Sequence, residues 1–493
     1  MTDTVAPSEP GTPEHSLKAG AIGLFDSAIM GIAGSAPAYS ISATTVALFF
    51  AVGYGGAASL LYCGFFMFGI VFAFNYLSKS DSTAGATYSW VRRALHPFLG
   101  YMAGWALIVS ALIFMVIATF PAGSNILGLF STSLASNKAL ITIFGALFFL
   151  MMVYAVAAGV TVTVTVQIIM SCVEIFFLLL FALLAIFHAH ATAFSWHWFS
   201  PSIFTSGHTN TFFAGALLAA FYYWGWDVTA NLNEETKDAA SVDGKAQTST
   251  SGMGGILGTI VVFLLFEVFT ISSDMVLTVK QLNDPKNAAD ILSVLGQDVW
   301  HGWGGKLIVV GVLLSTVATL ETTLIQVTRT MFSMGRDKTL PSALGHVHST
   351  RRTPIVATLV VTVISLALFV GSQYIGSVAT ILGDGYNAIG IQICIYYALA
   401  GFSVIVLYRR QIFKSAKNFI FMGLWPLLGA IFMTVVFFKV IPGLNTTTKI
   451  VGLGSMALGL IPMGWYWLQK APYFEMPTKE DRHAILQEIT QNL

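Results

Sequence analysis

Twelve apolar stretches, each near the length that crosses a lipid bilayer, leave this chain almost no way to fold in water. They fall at about 22–52, 56–77, 98–125, 138–158, 160–187, 210–236, 254–278, 306–333, 354–372, 384–408, 418–439 and 449–468. A hydrocarbon core about 30 Å thick asks for about 20 residues per span. Only 10% of the 493 residues are charged, against about a quarter in a soluble chain. That is too little polar surface to coat so large an apolar mass. Lipid offers backbone groups no partner, so the spans must be helical. This requirement overrides the strand-like alternation of Thr161 to Gln167 (TVTVTVQ), which then opens the fifth helix. The expected fold is an all-α membrane protein with twelve transmembrane helices.

The arginines give these spans an orientation. With the N-terminus inside, Arg92 and Arg93 follow the second span, Arg336, Arg351 and Arg352 the eighth, and Arg409 and Arg410 the tenth. Every arginine, Arg329 and Arg482 included, then lies on the cytoplasmic side, while Lys138, Lys280, Lys286, Lys306, Lys439 and Lys449 lie opposite. That is the positive-inside bias. It implies a multi-pass protein of the cell membrane with both termini cytoplasmic. Residues 1–18 read as a disordered tail, because a polar, proline-bearing start does not suit a signal peptide. Residues 471–493 form a second cytoplasmic tail.

Several classes find no support. No basic tract tracks a nucleic-acid backbone. Cys63, Cys172 and Cys394 lie inside apolar runs and suggest no disulfide framework. His188, His190, His197 and His208 cluster outside, without zinc-ligand spacing. Motifs such as HExxH and GxSxG are missing, and Gly252 to Gly258 misses GxGxxG by one place, so that run more simply starts the seventh helix. No enzyme, metal or cofactor is expected. Asn445-Thr446-Thr447 matches a glycosylation sequon, a pattern too common to carry weight.

Two spans break the helical pattern. The first contains Gly31-Ile32-Ala33-Gly34-Ser35-Ala36-Pro37, and the sixth contains Tyr222-Tyr223-Trp224-Gly225-Trp226-Asp227. Small residues and a proline weaken the hydrogen-bond ladder, although small residues also serve close packing alone. The breaks lie five helices apart, as a five-plus-five inverted repeat requires. Transporters place such interruptions at corresponding points of their repeats, exposing half-helix ends to substrate.

Four acids lie deep in spans: Glu174, Asp227, Glu267 and Glu321. An ionisable group at that depth is costly unless paired, protonated or wet, which makes each a functional candidate. Asp227 follows the sixth-helix break and could instead cap the second half-helix. Glu321 could meet a cationic substrate group or accept bonds from nearby hydroxyls. For Glu267, on a more peripheral helix, a structural role is expected. Asp26 is assigned to an inner gate.

Ala28-Ile29-Met30-Gly31, Gly100-Tyr101, Asn233-Glu234-Glu235, and Met334-Gly335-Arg336-Asp337 with Leu340-Pro341 together resemble the amino acid/polyamine/organocation permeases. The likeness covers about residues 18–410; the last two helices match only by hydropathy. It implies the leucine-transporter fold, with a core at 19–410 (helices one to ten) and two further helices at 411–470. It also implies that backbone groups at the first break hold the substrate, a half-helix N-terminus favouring its carboxylate. The family's usual Gly-Ser-Gly-like triplet is absent, its match being Gly31-Ile32-Ala33 or Gly34-Ser35-Ala36, so the site is placed on Ile32, Ala33, Gly34 and Ser35. By the same likeness Phe221 caps the site, with Tyr222 and Trp224 beside it, and Trp226 is left to packing. Glu174 stands where some relatives carry a lysine in place of a sodium ion. It is read as a proton-coupling site, with a structural hydrogen bond or a substrate contact as alternatives. Asp227 matches an acid linked to proton-dependent release in arginine/agmatine exchangers.

The resulting expectation is a proton-coupled amino acid permease working by alternating access in the lipid bilayer. Its substrate would be an amino acid or an amine. Rival readings are an amine or polyamine carrier or exchanger, and a receptor that binds an amino acid without moving it.

Overall fold

The computed structural model describes residues 16–188, 191–204, 209–237, 249–288, 290–373 and 378–476. Most of both expected tails, together with His190, His208 and Arg482, lies outside them. The described residues form helices and no strand; one isolated bridge joins Ile22 to Thr236. Each of the twelve apolar segments is helical. Among the described residues, ten helical stretches are long and apolar enough to cross a membrane, the first of them, Leu24–Ser80, running through two of those segments.

The first segment is α1 (Leu24–Ser35) and α2 (Pro37–Val52), followed by α3 (Gly56–Ser80) and the short α4 (Thr87–Ala94). Then come α5 (Pro97–Gly128), α6 (Lys138–Ala158) and α7 (Val160–Phe187). The sixth segment is α8 (Thr209–Tyr222) and a single turn, α9 (Val228–Asn231). Beyond it run α10 (Thr250–Val276), α11 (Ile291–Val299), α12 (Gly304–Arg336), α13 (Ile355–Ser372) and α14 (Val378–Tyr408). The eleventh and twelfth segments follow, as Ala416–Gly443 and Thr446–Leu468.

The strand-like threonines of α7 sit in a helix because the helix itself satisfies their hydroxyls. Thr165 donates to the Thr161 carbonyl at 3.0 Å, and α12 repeats the device with Thr316 to Val312 and Thr328 to Leu324, both 2.7 Å. Such back-bonding lets hydroxyls stand in lipid or in a dry interior without an orphaned donor. The outer helices expose apolar rows at helical spacing: Ile143, Leu147, Leu150 and Tyr154 on α6, and Ile169, Phe176, Leu179 and Leu183 on α7. These rows suit a hydrocarbon solvent. By contrast α12 is buried nearly along its whole length.

Small residues set the closest packing. Gly254 faces Ser27, and Gly258 faces the backbone of Ala28 and Gly31, so α10 lies directly against α1. The glycine run of residues 252–258 does begin α10, and its work is to let two helices approach.

Candidate functional site

The two interrupted segments break where backbone chemistry forces them to. Proline has no N–H and disfavours helical backbone in the residue before it. Pro37 accordingly starts α2 at its first position, and Ala36 turns left-handed with φ 45°. The break therefore falls one residue beyond the Ile32–Ser35 span. The amides of that span belong to the last turn of α1, so at the break it presents carbonyls rather than free N–H groups. In the sixth segment Gly225 takes φ 100°, between the end of α8 and the start of α9.

These two breaks meet. Gly34 and Gly225 pack backbone to backbone, so closely that a Cβ on either would overlap the other's carbonyl. From α12, the Thr319 hydroxyl donates to the Gly34 carbonyl at 2.9 Å. Ser40 closes the turn by donating to the Ser35 carbonyl at 2.8 Å.

Every first-turn amide of α2 is occupied. Pro37 has none. Ala38 donates to Glu174 at 2.9 Å, Tyr39 to the Ser315 hydroxyl at 3.1 Å, and Ser40 to the Ala36 carbonyl at 2.8 Å. The Ser315 hydroxyl donates in turn to the same Glu174 oxygen at 2.7 Å. A carboxyl from α7 thus sits at the positive end of a half-helix, where an anion is favoured. Its second oxygen is buried with no partner among the described residues.

Aromatic rings enclose the break on one side. Phe221 lies 4.7 Å from Tyr386, 6.2 Å from Phe114 and 6.3 Å from Trp224, centroid to centroid. Tyr39 and Tyr386 bring their hydroxyls within 3.2 Å of each other. Tyr386 also lines a cleft of about 270 Å³ with Ala43, Val46, Asn283 and Leu382. Beside the rings runs a polar chain: the Trp224 indole donates to the Tyr396 hydroxyl, which donates to Asp227 at 2.9 Å. Asp227 makes no capping bond to α9, so its side chain serves Tyr396 instead of the half-helix.

The far side of the break is sealed. Arg329 of α12, fully buried, grips Glu235 with two bonds of 2.6 and 3.0 Å. Arg336 pairs with Glu234 at 2.8 Å. The backbone ahead of α1 is tied down too, Ala21 and Ile22 donating to the Glu235 carbonyl at 2.9 and 3.0 Å. Asn231 spans from α9 to Thr330 at 3.0 Å and to the Ala84 carbonyl at 2.8 Å.

The expected residues therefore divide. Ile32 to Ser35, Phe221, Trp224, Asp227 and Glu174 gather around the paired breaks. Tyr222 points elsewhere, its hydroxyl 3.1 Å from Thr45. Glu321 accepts from Gln167 at 2.6 Å rather than from the adjacent threonines, and Thr322 donates instead to backbone carbonyls. Neither oxygen of Glu267 has a partner among the described residues, so no hydrogen bond explains its burial. Asp26 accepts from the Gly23 amide at 2.9 Å, at the start of α1. Sequence reading missed Tyr39, Phe114, Ser315, Tyr386, Tyr396 and the Arg329–Glu235 pair. It also passed over Asp274, buried on α10 with an unpartnered oxygen. One signal was available: α12 carries a run of polar residues at membrane depth, Ser315, Thr319 and Thr322 among them at helical spacing.

A multi-span helical protein whose first and sixth apolar segments both break and touch is built as a carrier, and comparison with known proteins agrees. The family model described as amino acid permease matches residues 22–461. This chain belongs to the amino acid permease family, within the amino acid/polyamine/organocation superfamily, and is a membrane transporter and not an enzyme. It is 30% identical over 264 residues to the serine/threonine exchanger SteT of Bacillus subtilis, a match covering 52% of this chain and 55% of the exchanger. It is 25% identical over 403 residues to the low-affinity putrescine importer PlaP of Escherichia coli, covering 79% and 81% of the two chains. Over 422 residues it is 25% identical to the branched-chain amino acid permease BcaP of Bacillus subtilis, covering 81% and 83%. The chain thus spans little more than half of the first of these relatives and about four fifths of the other two.

Proposed function

We propose that this protein carries an amino acid across the cell membrane by alternating access, with proton coupling, through twelve spans arranged as a five-plus-five inverted repeat plus two. The arginine-bearing end and both termini are taken as cytoplasmic. One observation carries the reading: two interrupted helices meet at Gly34 and Gly225, under an aromatic roof, with a buried carboxyl at the start of α2. Broken backbone at membrane depth is tolerated only where protein buries it or a cavity takes it up, and transporters place such breaks at their substrate site.

The substrate ammonium would face the carbonyl end of α1 and Asp227, under the rings of Phe221, Trp224 and Tyr386. A cation over such rings gains about 0.5–2 kcal/mol, more as water is excluded. Glu174 is the coupling group. Ionised, it holds the first turn of α2 to α7 and α12 through Ala38 and Ser315; a proton weakens that hold, because hydrogen bonds to a charged acceptor are about twice as strong as neutral ones. Loading and release of the proton would then accompany movement of the first segment.

The test is uptake of labelled amino acids by purified protein in liposomes, with and without an imposed inward proton gradient, for wild type and Glu174→Gln. Gradient-driven accumulation by wild type, reduced to exchange in the variant, supports the reading. Uptake that requires sodium and ignores a proton uncoupler would overturn it.

A second reading, an amine or polyamine carrier, is favoured by the occupied amides of α2. With Ala38 and Tyr39 already bonded, a substrate carboxylate finds no free helix amide there, whereas an ammonium finds carbonyls and carboxyls. Competition by putrescine or ethanolamine, with none from neutral amino acids, would select this reading; the reverse pattern selects the first.

A further inference from the structure

Away from the substrate junction, at the end that bears the arginines, lies a cavity of about 680 Å³. Its walls come from three separate parts of the chain: the segment of residues 16–19 that leads into α1, the start of α7, and the turn before α13. Each contributes a cation or a helix end. Lys18, Arg351 and Arg352 line it, and among the described residues no acidic one does.

None of the three cations has an ion-pair partner among the described residues. Lys18 donates to the Thr161 hydroxyl at 2.8 Å, Arg352 to the Ser16 hydroxyl at 3.2 Å, and Arg351 reaches the Ala157 carbonyl at 3.4 Å. These are neutral acceptors, and they leave three positive charges in one hollow. The first turn of α7, a helix of 28 residues, opens on the same hollow. Gly159 precedes it, and no side chain caps it. Its leading amides and its dipole add positive potential.

Two chain segments bring like charges together beside an uncapped helix start, Lys18 and Arg351 exposed at the rim of the hollow and Arg352 half-buried. We infer that this cavity binds a phosphate group, with Lys18, Arg351 and Arg352 as its cationic ligands. Two sources share that chemistry. One is the headgroup of an anionic phospholipid. Val160 and Val162 line the cavity, and Val162 is about half exposed on the outer surface of α7, so an acyl chain could leave toward the bilayer. The other is a soluble phosphate. Basic hollows between spans on this face are the kind that hold anionic headgroups. Whatever its source, a bound phosphate would bridge the segment entering α1 to α7, adding to the hydrogen bond from Lys18 to Thr161.

The test uses purified full-length protein in detergent. Thermal melting is followed while phosphatidylglycerol is titrated, with phosphatidylcholine as the neutral control and inorganic pyrophosphate in a separate arm. Native mass spectrometry counts retained lipid. For wild type, phosphatidylglycerol should raise the melting temperature and remain bound where phosphatidylcholine does not. Lys18→Gln with Arg351→Gln should weaken that effect about 30-fold, from the usual worth of two basic residues near an anionic surface. Lys18→Arg with Arg351→Lys should keep it, which separates lost charge from lost folding. Protection by pyrophosphate alone, abolished by the glutamine pair, would assign the same site to a soluble phosphate. Two results would overturn the site: protection unchanged by the glutamine pair, or equal loss in Arg409→Gln with Arg410→Gln, which removes two charges elsewhere on the same face.

Discussion

At the scale of single residues, the junction depends on atoms that are missing. Gly34 and Gly225 touch because neither has a side chain, and Gly225 also holds φ 100°, which other residues resist. Gly31, one turn earlier, is different: a Cβ there would meet nothing nearer than 3.4 Å, from Thr229. Gly34→Ala should therefore push the two breaks apart, lower stability by about 1–3 kcal/mol as overpacking does, and cut uptake at least about tenfold. Gly31→Ala should leave both nearly intact. Melting and liposome uptake of the two variants side by side decide it; a transporting Gly34→Ala protein would mean the contact is incidental. The glycines themselves were visible in the sequence, as small residues inside bulky spans. Their contact was not, since nothing in the local pattern says which distant backbone will fill the space.

At the scale of the helix, the lesson concerns where a break falls. Two glycines bracket Ile32 and Ala33, and the family likeness placed the expected site on Ile32–Ser35. The stronger local rule was the proline: Pro37 cannot donate within a helix, so the chain leaves α1 just before it and Ala36 takes the left-handed turn. The pattern of a proline at the first helical position is legible in the sequence and marks where α2 begins. A left-handed residue with a side chain costs about 1–2 kcal/mol. Ala36→Gly should thus keep transport and raise the melting temperature slightly, whereas Ala36→Val, β-branched at a positive φ, should destabilise and lose transport. If glycine harms as much as valine, the alanine methyl is needed for packing and strain is not the governing term. Apolar length foretold the twelve long helical segments, because the bilayer sets it, but not the short α4 and α11 between them. Partners such as Gln167 for Glu321 or Tyr396 for Asp227 were beyond reach, because each pair joins helices whose facing sides only tertiary packing decides.

At the scale of the whole molecule, the ties around the paired breaks are lopsided. On one side Tyr386 separates the junction from a cleft by a single layer of rings. On the other, Arg329, Glu235, Asn231 and the backbone of residues 21–22 lock α1 and α9 against α12. If access alternates, this second side must open, and the Arg329–Glu235 pair must then part or hydrate. Burying both charges is costly and their pairing offsets that cost only while both are present; removing one partner typically costs about 3–5 kcal/mol. Glu235→Gln leaves Arg329 buried without a counter-charge, and the expense falls on the sealed state alone, since an opened end lets water reach the guanidinium. The balance should therefore tilt toward opening by at least about tenfold, the ratio that 1.4 kcal/mol commands. A cysteine at Thr330, which is fully buried beside Asn231, reports the change in a Cys172→Ser background, the other two native cysteines being buried. Its alkylation should be slow in that background and about tenfold faster or more once Glu235→Gln is added. Equal rates would mean that the pair holds the fold together without gating it, and the sealed end would then open along some other line than α9 against α12.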